Sequence, residues 1–143
     1  MIKVVIADDH PLVRVAVRTY LETEGGFDVL AEGQTGQEAL QLVREHRPDV
    51  VLLDYQMPVL DGLEAARSIG EAFPEVGIVM LTAVEDRRVT NEAAGAGVGG
   101  VVLKTDPPEA LAAALREVAA GDRREESITV IVKPASLNER SDG

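Results

Sequence analysis

The sequence predicts an α/β fold in which five parallel strands alternate with five helices that cover both faces of the sheet. Two observations lead there. Short apolar runs rich in β-branched residues recur at 2–7, 50–53, 78–81 and 101–103, and unbroken runs of this kind suit strands buried on both faces. Between them lie stretches with apolar residues at helical spacing, bounded by proline, glycine and capping residues. A third observation bears on chemistry: the strand runs end in Asp8-Asp9, Asp54, Thr82 and Lys104. All of these open at one carboxyl edge, where open α/β sheets place their ligand sites.

Each element has its own grounds. Ile2–Ala7 is a buried strand, and Pro11 is a favoured first residue for the next helix. Leu12, Val13, Ala16, Val17, Tyr20 and Leu21 form the apolar face of that helix, which Gly25-Gly26 stops. Phe27 to Glu32 alternates apolar and polar residues, as an edge strand does. Thr35-Gly36-Gln37-Glu38 has the form of a capping box for a helix that turns Ala39, Leu40 and Val43 inward. The central strand, Val50-Val51-Leu52-Leu53-Asp54, runs into a Pro58/Asp61/Gly62 turn, and Met57 reads as packing.

The third helix carries Leu63, Ala65, Ala66 and Ile69 and ends near Phe73-Pro74. Strand four is Ile78 to Thr82. Helix four, Glu85 to Ala94, is poorly stocked, with Val89, Ala93 and Ala94 as its inward residues. Strand five, Val101 to Leu103, ends at Lys104. Asp106 is expected to cap the last helix, with Pro107 at its first position, Glu109 at its third, and Ala110, Leu111, Ala114, Leu115 and Val118 buried. Gly121 terminates it. Residues 1–121 form one domain on this reading. From Asp122 the chain turns charged and polar, with a short strand possible at Ile128 to Val132; 122–143 is a linker, a tail or the cut edge of a longer protein.

Composition excludes several classes. The 143 residues include no cysteine, so there is no disulfide framework, thiolate metal site or cysteine nucleophile. A formal net charge of −11 is unsuited to gripping nucleic acid directly. No apolar run approaches the ~18 residues of a membrane span, and the N-terminus lacks a signal-peptide pattern. The expected location is the cytoplasm, with no membrane partner.

Three carboxylates held together repel one another, and desolvation sharpens the conflict. A divalent cation resolves it, and Mg²⁺ suits oxygen ligands while keeping several waters. A hydroxyl and an ammonium facing the same spot match a phosphoryl group. The chemistry these residues point to is phosphoryl transfer onto Asp54, with metal and lysine offsetting charge. Structural alternatives stand beside this: Asp8 as a cap for helix one, Thr82 as a cap for helix four, Lys104 as an ordinary ion-pair partner. His10 is assigned a surface or helix-start role rather than a ligand role, and Thr35 a capping one.

Four segments, Ile-Ala-Asp8-Asp9-His10-Pro-Leu-Val-Arg14, Leu-Leu-Asp54-Tyr-Gln-Met-Pro-Val-Leu-Asp-Gly62, Leu-Thr82-Ala and Gly-Val-Val-Leu-Lys104, together resemble the receiver domain of two-component response regulators, across residues 2–121. The wording at 8–14 is most similar to the NarL/FixJ class, whose LuxR-type output is a C-terminal helix-turn-helix. The resemblance implies a flavodoxin-like (βα)5 fold with strand order 2-1-3-4-5. It implies that Asp54 accepts a phosphoryl group from a sensor histidine kinase. Asp9, Asp54 and the Gln56 carbonyl would hold Mg²⁺, with Asp8 acting through water, while Thr82, Lys104 and the Ala83 amide contact the phosphoryl oxygens. Phosphorylation would then drive homodimerisation or a DNA-binding output outside this chain, relayed through helix four and strand five.

Three departures from the family pattern bear on that relay. Val101 stands where a switching aromatic is usual. Ala94 replaces a leucine, and Gly95, Gly97, Gly99 and Gly100 loosen the loop beyond it. Lys104 precedes Thr105 rather than proline. A haloacid-dehalogenase-like phosphatase would want a second acid two residues after the nucleophile, where Gln56 stands. A receiver that works as an interaction module without phosphorylation, or as a stand-alone receiver without DNA binding, remains open.

Overall fold

The computed structural model describes residues 1–57 and 60–121. Pro58, Val59 and 122–143, including the expected strand at Ile128 to Val132, lie outside the described residues. Among the described residues ten elements alternate: β1 (Ile2–Ala7), α1 (Pro11–Glu24), β2 (Phe27–Gly33), α2 (Gly36–His46), β3 (Val50–Asp54), α3 (Gly62–Ala72), β4 (Gly77–Thr82), α4 (Arg87–Gly95), β5 (Gly100–Leu103) and α5 (Pro108–Ala120). All strand pairs are parallel, in the order β2-β1-β3-β4-β5. This is the flavodoxin-like arrangement.

The apolar runs are continuous because each strand feeds two cores at once. Successive side chains point to opposite faces, so Val51 and Leu53 pack with α2, α3 and α4 residues such as Val43, Ile69 and Ala93. Val50 and Leu52 join Val17, Leu21, Leu111 and Leu115 of α1 and α5 on the other face. Leu115 is fully buried, and its truncation to alanine is expected to destabilise the domain by about 3 kcal/mol, read by urea denaturation.

Five local expectations are corrected. On α1 the buried residues are Val17 and Leu21, whereas Leu12 is 83% exposed and Ala16 is also exposed. The inward stripe runs through positions 13, 17, 20 and 21, and Leu12 and Ala16 stand off it. In α4, Val89 and Ala93 are buried one turn apart, while Ala94, rotated a further step, is exposed; Ala96 and Val98 beyond the helix supply the missing burial. Its start lies at Arg87, because the Asp86 carboxylate accepts from the Arg88 N–H.

The expected cap of α5 also differs. Asp106 turns back to accept from the Leu103 N–H at 3.0 Å, leaving Pro107 at the N-cap and Pro108 as the first helical residue. The capping box of α2 is half formed: Thr35 Oγ1 accepts from the Glu38 N–H, but the Glu38 carboxylate takes the Gln34 N–H, one residue early. The stop after α1 holds, with Gly25 and Gly26 both in the left-handed region that glycine enters without strain.

Candidate functional site

Strand ends and the loops beyond them assemble the site. Asp8 follows β1 and Asp54 closes β3; both are nearly fully buried, at 2% and 3% exposure. Lys104, directly after β5, reaches across the edge. Its Nζ lies 3.5 Å from Asp8 Oδ2 and 3.3 Å from Asp54 Oδ1. The strand ends are tied by backbone bonds, with Tyr55 N–H donating to the Leu81 carbonyl and Lys104 N–H to the Thr82 carbonyl. Asp9, Tyr55, Gln56, Met57 and Asp61 line an adjoining concavity of about 530 Å³.

Close packing of the β3–α3 connection fixes this concavity. The Gly62 N–H donates to the Tyr55 carbonyl, and Asp61 and Glu64 form a reciprocal capping box at the start of α3. Arg14 of α1 donates to the Asp8 carbonyl at 2.5 Å, anchoring the acidic loop from below.

One cation cannot satisfy so many anionic oxygens. Asp8 Oδ2, Asp9 Oδ1 and Asp54 Oδ2 are each buried without a hydrogen-bond partner among the described residues, an arrangement unfavourable unless another positive group enters. Burial first and the Asp8 charge second push the Asp54 carboxyl up to about 6, while Lys104 and the Gln56 N–H pull it back. Three oxygen donors on one edge fit a hard divalent cation, and Asp8, Asp9 and Asp54 would hold it.

Of the residues that the sequence singles out, Asp8, Asp9, Asp54 and Lys104 meet. Gln56 lines the opening, its N–H 3.4 Å from Asp54 Oδ1. Thr82 is buried at the end of β4, its hydroxyl accepting from the Val84 N–H at 3.0 Å; it does not cap α4, which Asp86 does. Ala83 is exposed beside it. Asp8 does not cap α1 either, since His10 holds that position.

His10 is the residue whose place the sequence undervalues. Its backbone begins α1, as expected, but its ring turns into the acidic cluster. Nδ1 lies 3.0 Å from Asp8 Oδ1, 3.1 Å from Asp9 Oδ1 and 3.8 Å from Asp54 Oδ2. Pro11 is the available signal. A residue before proline is held extended, and His10 sits at φ −99°, ψ 108°, which keeps it beside the strand edge.

A parallel sheet in this order, with acids and a lysine converging at its carboxyl edge, defines the class of receiver-type α/β domains. The profile of the response regulator receiver domain matches residues 4–116, and the chain belongs to that family. It is 38% identical over 122 residues to the response regulator protein VraR of Staphylococcus aureus, covering 85% of this chain and 58% of that protein. The chain thus spans less than two thirds of the length of the curated relatives it matches. The signal receiver domain of the Mycobacterium tuberculosis response regulator NarL superposes with a TM-score of 0.81 at 32% identity, covering 85% of this chain and 98% of that one. A LuxR-family two-component response regulator from Aurantimonas gives a TM-score of 0.86 at 30% identity, covering 99% and 96%. The relatives are thus response regulators of the NarL and LuxR type.

Proposed function

We propose that this chain is a receiver that takes a phosphoryl group onto Asp54 from the phosphohistidine of a sensor kinase. The observation that supports this most directly is the buried Asp54 carboxylate, with Lys104 Nζ 3.3 Å from Oδ1 and Oδ2 left without a hydrogen bond. A free carboxylate oxygen beside a fixed cation is what in-line attack on phosphorus uses. The Asp54 oxygen bonds to phosphorus, the phosphorus–nitrogen bond breaks, and the imidazole of the kinase leaves with the electron pair. Mg²⁺, held by Asp9, Asp54 and the Gln56 carbonyl with Asp8 behind, would supply charge neutralisation for the transferring group. Lys104 offsets the charge that develops on the oxygens, and Thr82 and the Ala83 N–H donate to them.

On this reading 1–121 is the receiver and 122–143 a linker, in a cytoplasmic protein whose DNA-binding output lies outside the chain. The signal passes through α4 and β5 to self-association or to that output. Support for a loose α4 lies in its two buried anchors, Val89 and Ala93, and in Gly97 at φ +91° just beyond it. One observation favours the second reading, a module that works without phosphorylation: Val101, in place of a switching aromatic ring, is 3% exposed and packed into the α2–α4 face. Beryllium fluoride with Mg²⁺ imitates the acyl phosphate. Amide NMR shifts are expected at Asp54, Thr82, Val101 and Lys104 in the wild type and none in Asp54→Ala. A silent wild type would remove the phosphoacceptor reading in favour of the constitutive module.

A further inference from the structure

We infer that Arg14 and Glu32 are positioning residues for the phosphoryl-transfer site: Glu32 sets the Arg14 guanidinium, and that guanidinium fixes the peptide between Asp8 and Asp9. The inference rests on the reading of the acids as the cation site for transfer onto Asp54. Asp8 is pinned at its backbone and its side chain alike. Its N–H donates to the Gly33 carbonyl at 3.0 Å, its Oδ1 accepts from the His10 N–H at 2.8 Å, and its carbonyl accepts from Arg14 Nη1 at 2.5 Å. That carbonyl belongs to the peptide that carries Asp9. Rotation of this peptide would swing the Asp9 carboxylate, and it requires Arg14 to let go.

Arg14 is itself held from the far side. Its Nε lies 3.3 Å from Glu32 Oε1, and the two side chains are only 13% and 26% exposed. A guanidinium carries its donors in one rigid plane, so the bond to Glu32 sets the direction of the bond to Asp8. Arg18 Nε donates to the other Glu32 oxygen, which keeps that carboxylate from turning. The backbone of β2 is shaped to present it. Phe27 and Val29 pack on the α1 side, and strict alternation would send Ala31 there next and Glu32 to the opposite face. The β1–β2 register slips between Val4 and Val5, pairing Val4 with Val29 but Val5 with Ala31. The extra residue re-aims those after it, as a bulge does, and Glu32 comes out facing α1 and its arginines.

Charge alone and positioning make opposite predictions. Arg14 is a cation beside the cluster of Asp8, Asp9 and Asp54. If it acted by charge alone, its removal would tighten the binding of a divalent cation, and removal of the Glu32 anion would weaken it. Positioning requires both removals to weaken it, because each frees the Asp8–Asp9 peptide.

Calorimetric titration of the full chain with Mg²⁺, together with intact-mass detection of Asp54 phosphorylation by phosphoramidate, separates them. Arg14→Ala is expected to weaken Mg²⁺ by about tenfold and Glu32→Ala by about threefold, each with slower phosphorylation at subsaturating Mg²⁺. The double variant should bind no more weakly than Arg14→Ala alone, because the two residues act in series. Arg14→Lys keeps the charge and the fold but cannot span both partners, and it should weaken Mg²⁺ by about threefold. Tighter Mg²⁺ binding in Arg14→Ala, additive losses in the double variant, or wild-type affinity in Arg14→Lys overturns the positioning role. If the wild type takes no phosphoryl group in Mg²⁺, or Asp54→Ala takes one as readily, the phosphoacceptor reading falls instead.

Discussion

Asp54→Asn is expected to stabilise the metal-free protein at neutral pH by up to about 3 kcal/mol, although it removes the proposed phosphoacceptor. Burial and the Asp8 charge raise the Asp54 carboxyl from 3.8 to about 6, so the folded protein holds a proton that the unfolded chain gives up. Stability falls with pH wherever the folded state binds more protons. For Asp54 that window runs from about 3.8 to about 6. At about 1.4 kcal/mol per unit, the full loss is about 3 kcal/mol above the window and nothing below it. Asparagine keeps the shape, carries no charge, and removes this part of the pH dependence. Urea denaturation of both proteins from pH 4.5 to 7.5 should show curves that diverge as pH rises. Saturating divalent cation should narrow the gap at neutral pH, because it binds the folded wild type more tightly than a mutant that has lost one of the three carboxylates. A mutant less stable than wild type at neutral pH would mean that Lys104 fully compensates the Asp54 charge.

Gly62→Ala is expected to cost about 3 kcal/mol and to weaken cation binding with it. A Cβ at this position would stand 2.4 Å from the Asp54 carbonyl oxygen, 3.0 Å from Tyr55 Cα and 3.1 Å from the Tyr55 oxygen. These are backbone atoms of β3 and its exit, so no rotamer change relieves the clash. The first turn of α3 must move away from the strand that carries Asp54, breaking the Gly62 N–H to Tyr55 carbonyl bond and displacing Gln56. Gly70→Ala in the same helix is the control. Its Cβ would meet only the Ala96 carbonyl at 3.9 Å, and it should stabilise by about 0.5–1 kcal/mol through the lower entropy of the unfolded chain. Thermal unfolding with a Mg²⁺ titration of each variant checks both. Equal behaviour of the two glycines would refute the close-approach account.

The sheet was legible because burial on both faces leaves no room for polar residues in the strand runs, and their chemistry could appear only at the ends. Asp8, Asp54 and Lys104 therefore announced themselves. Side chains whose direction depends on a turn did not. Asp106 resembled a cap, yet hydrogen-bonds back to the Leu103 N–H because two prolines follow it. Leu12 and Ala16 share a helical repeat with the buried Val17 and Leu21, yet their angular offset leaves them in solvent. A lone histidine carries little weight in a sequence; the ring direction of His10 is set by Pro11 and by the pull of three carboxylates, a tertiary effect that no spacing rule contains. Membership of the receiver family was legible because four separate segments agreed.

The two rims of the sheet are mechanically unequal. β2 is a seven-residue strand laid along β1, while β5 has four residues and is laced to β4 alone. The short rim is the one that carries Lys104, the lever arm stretched across to Asp8 and Asp54. A tug on that ammonium is resisted by one brief ladder and the packing of Val102 against α5, whereas the acids it grips are clamped between strands on both sides. The margin expected to give first is therefore this thin one, the outer plank rather than the central beam.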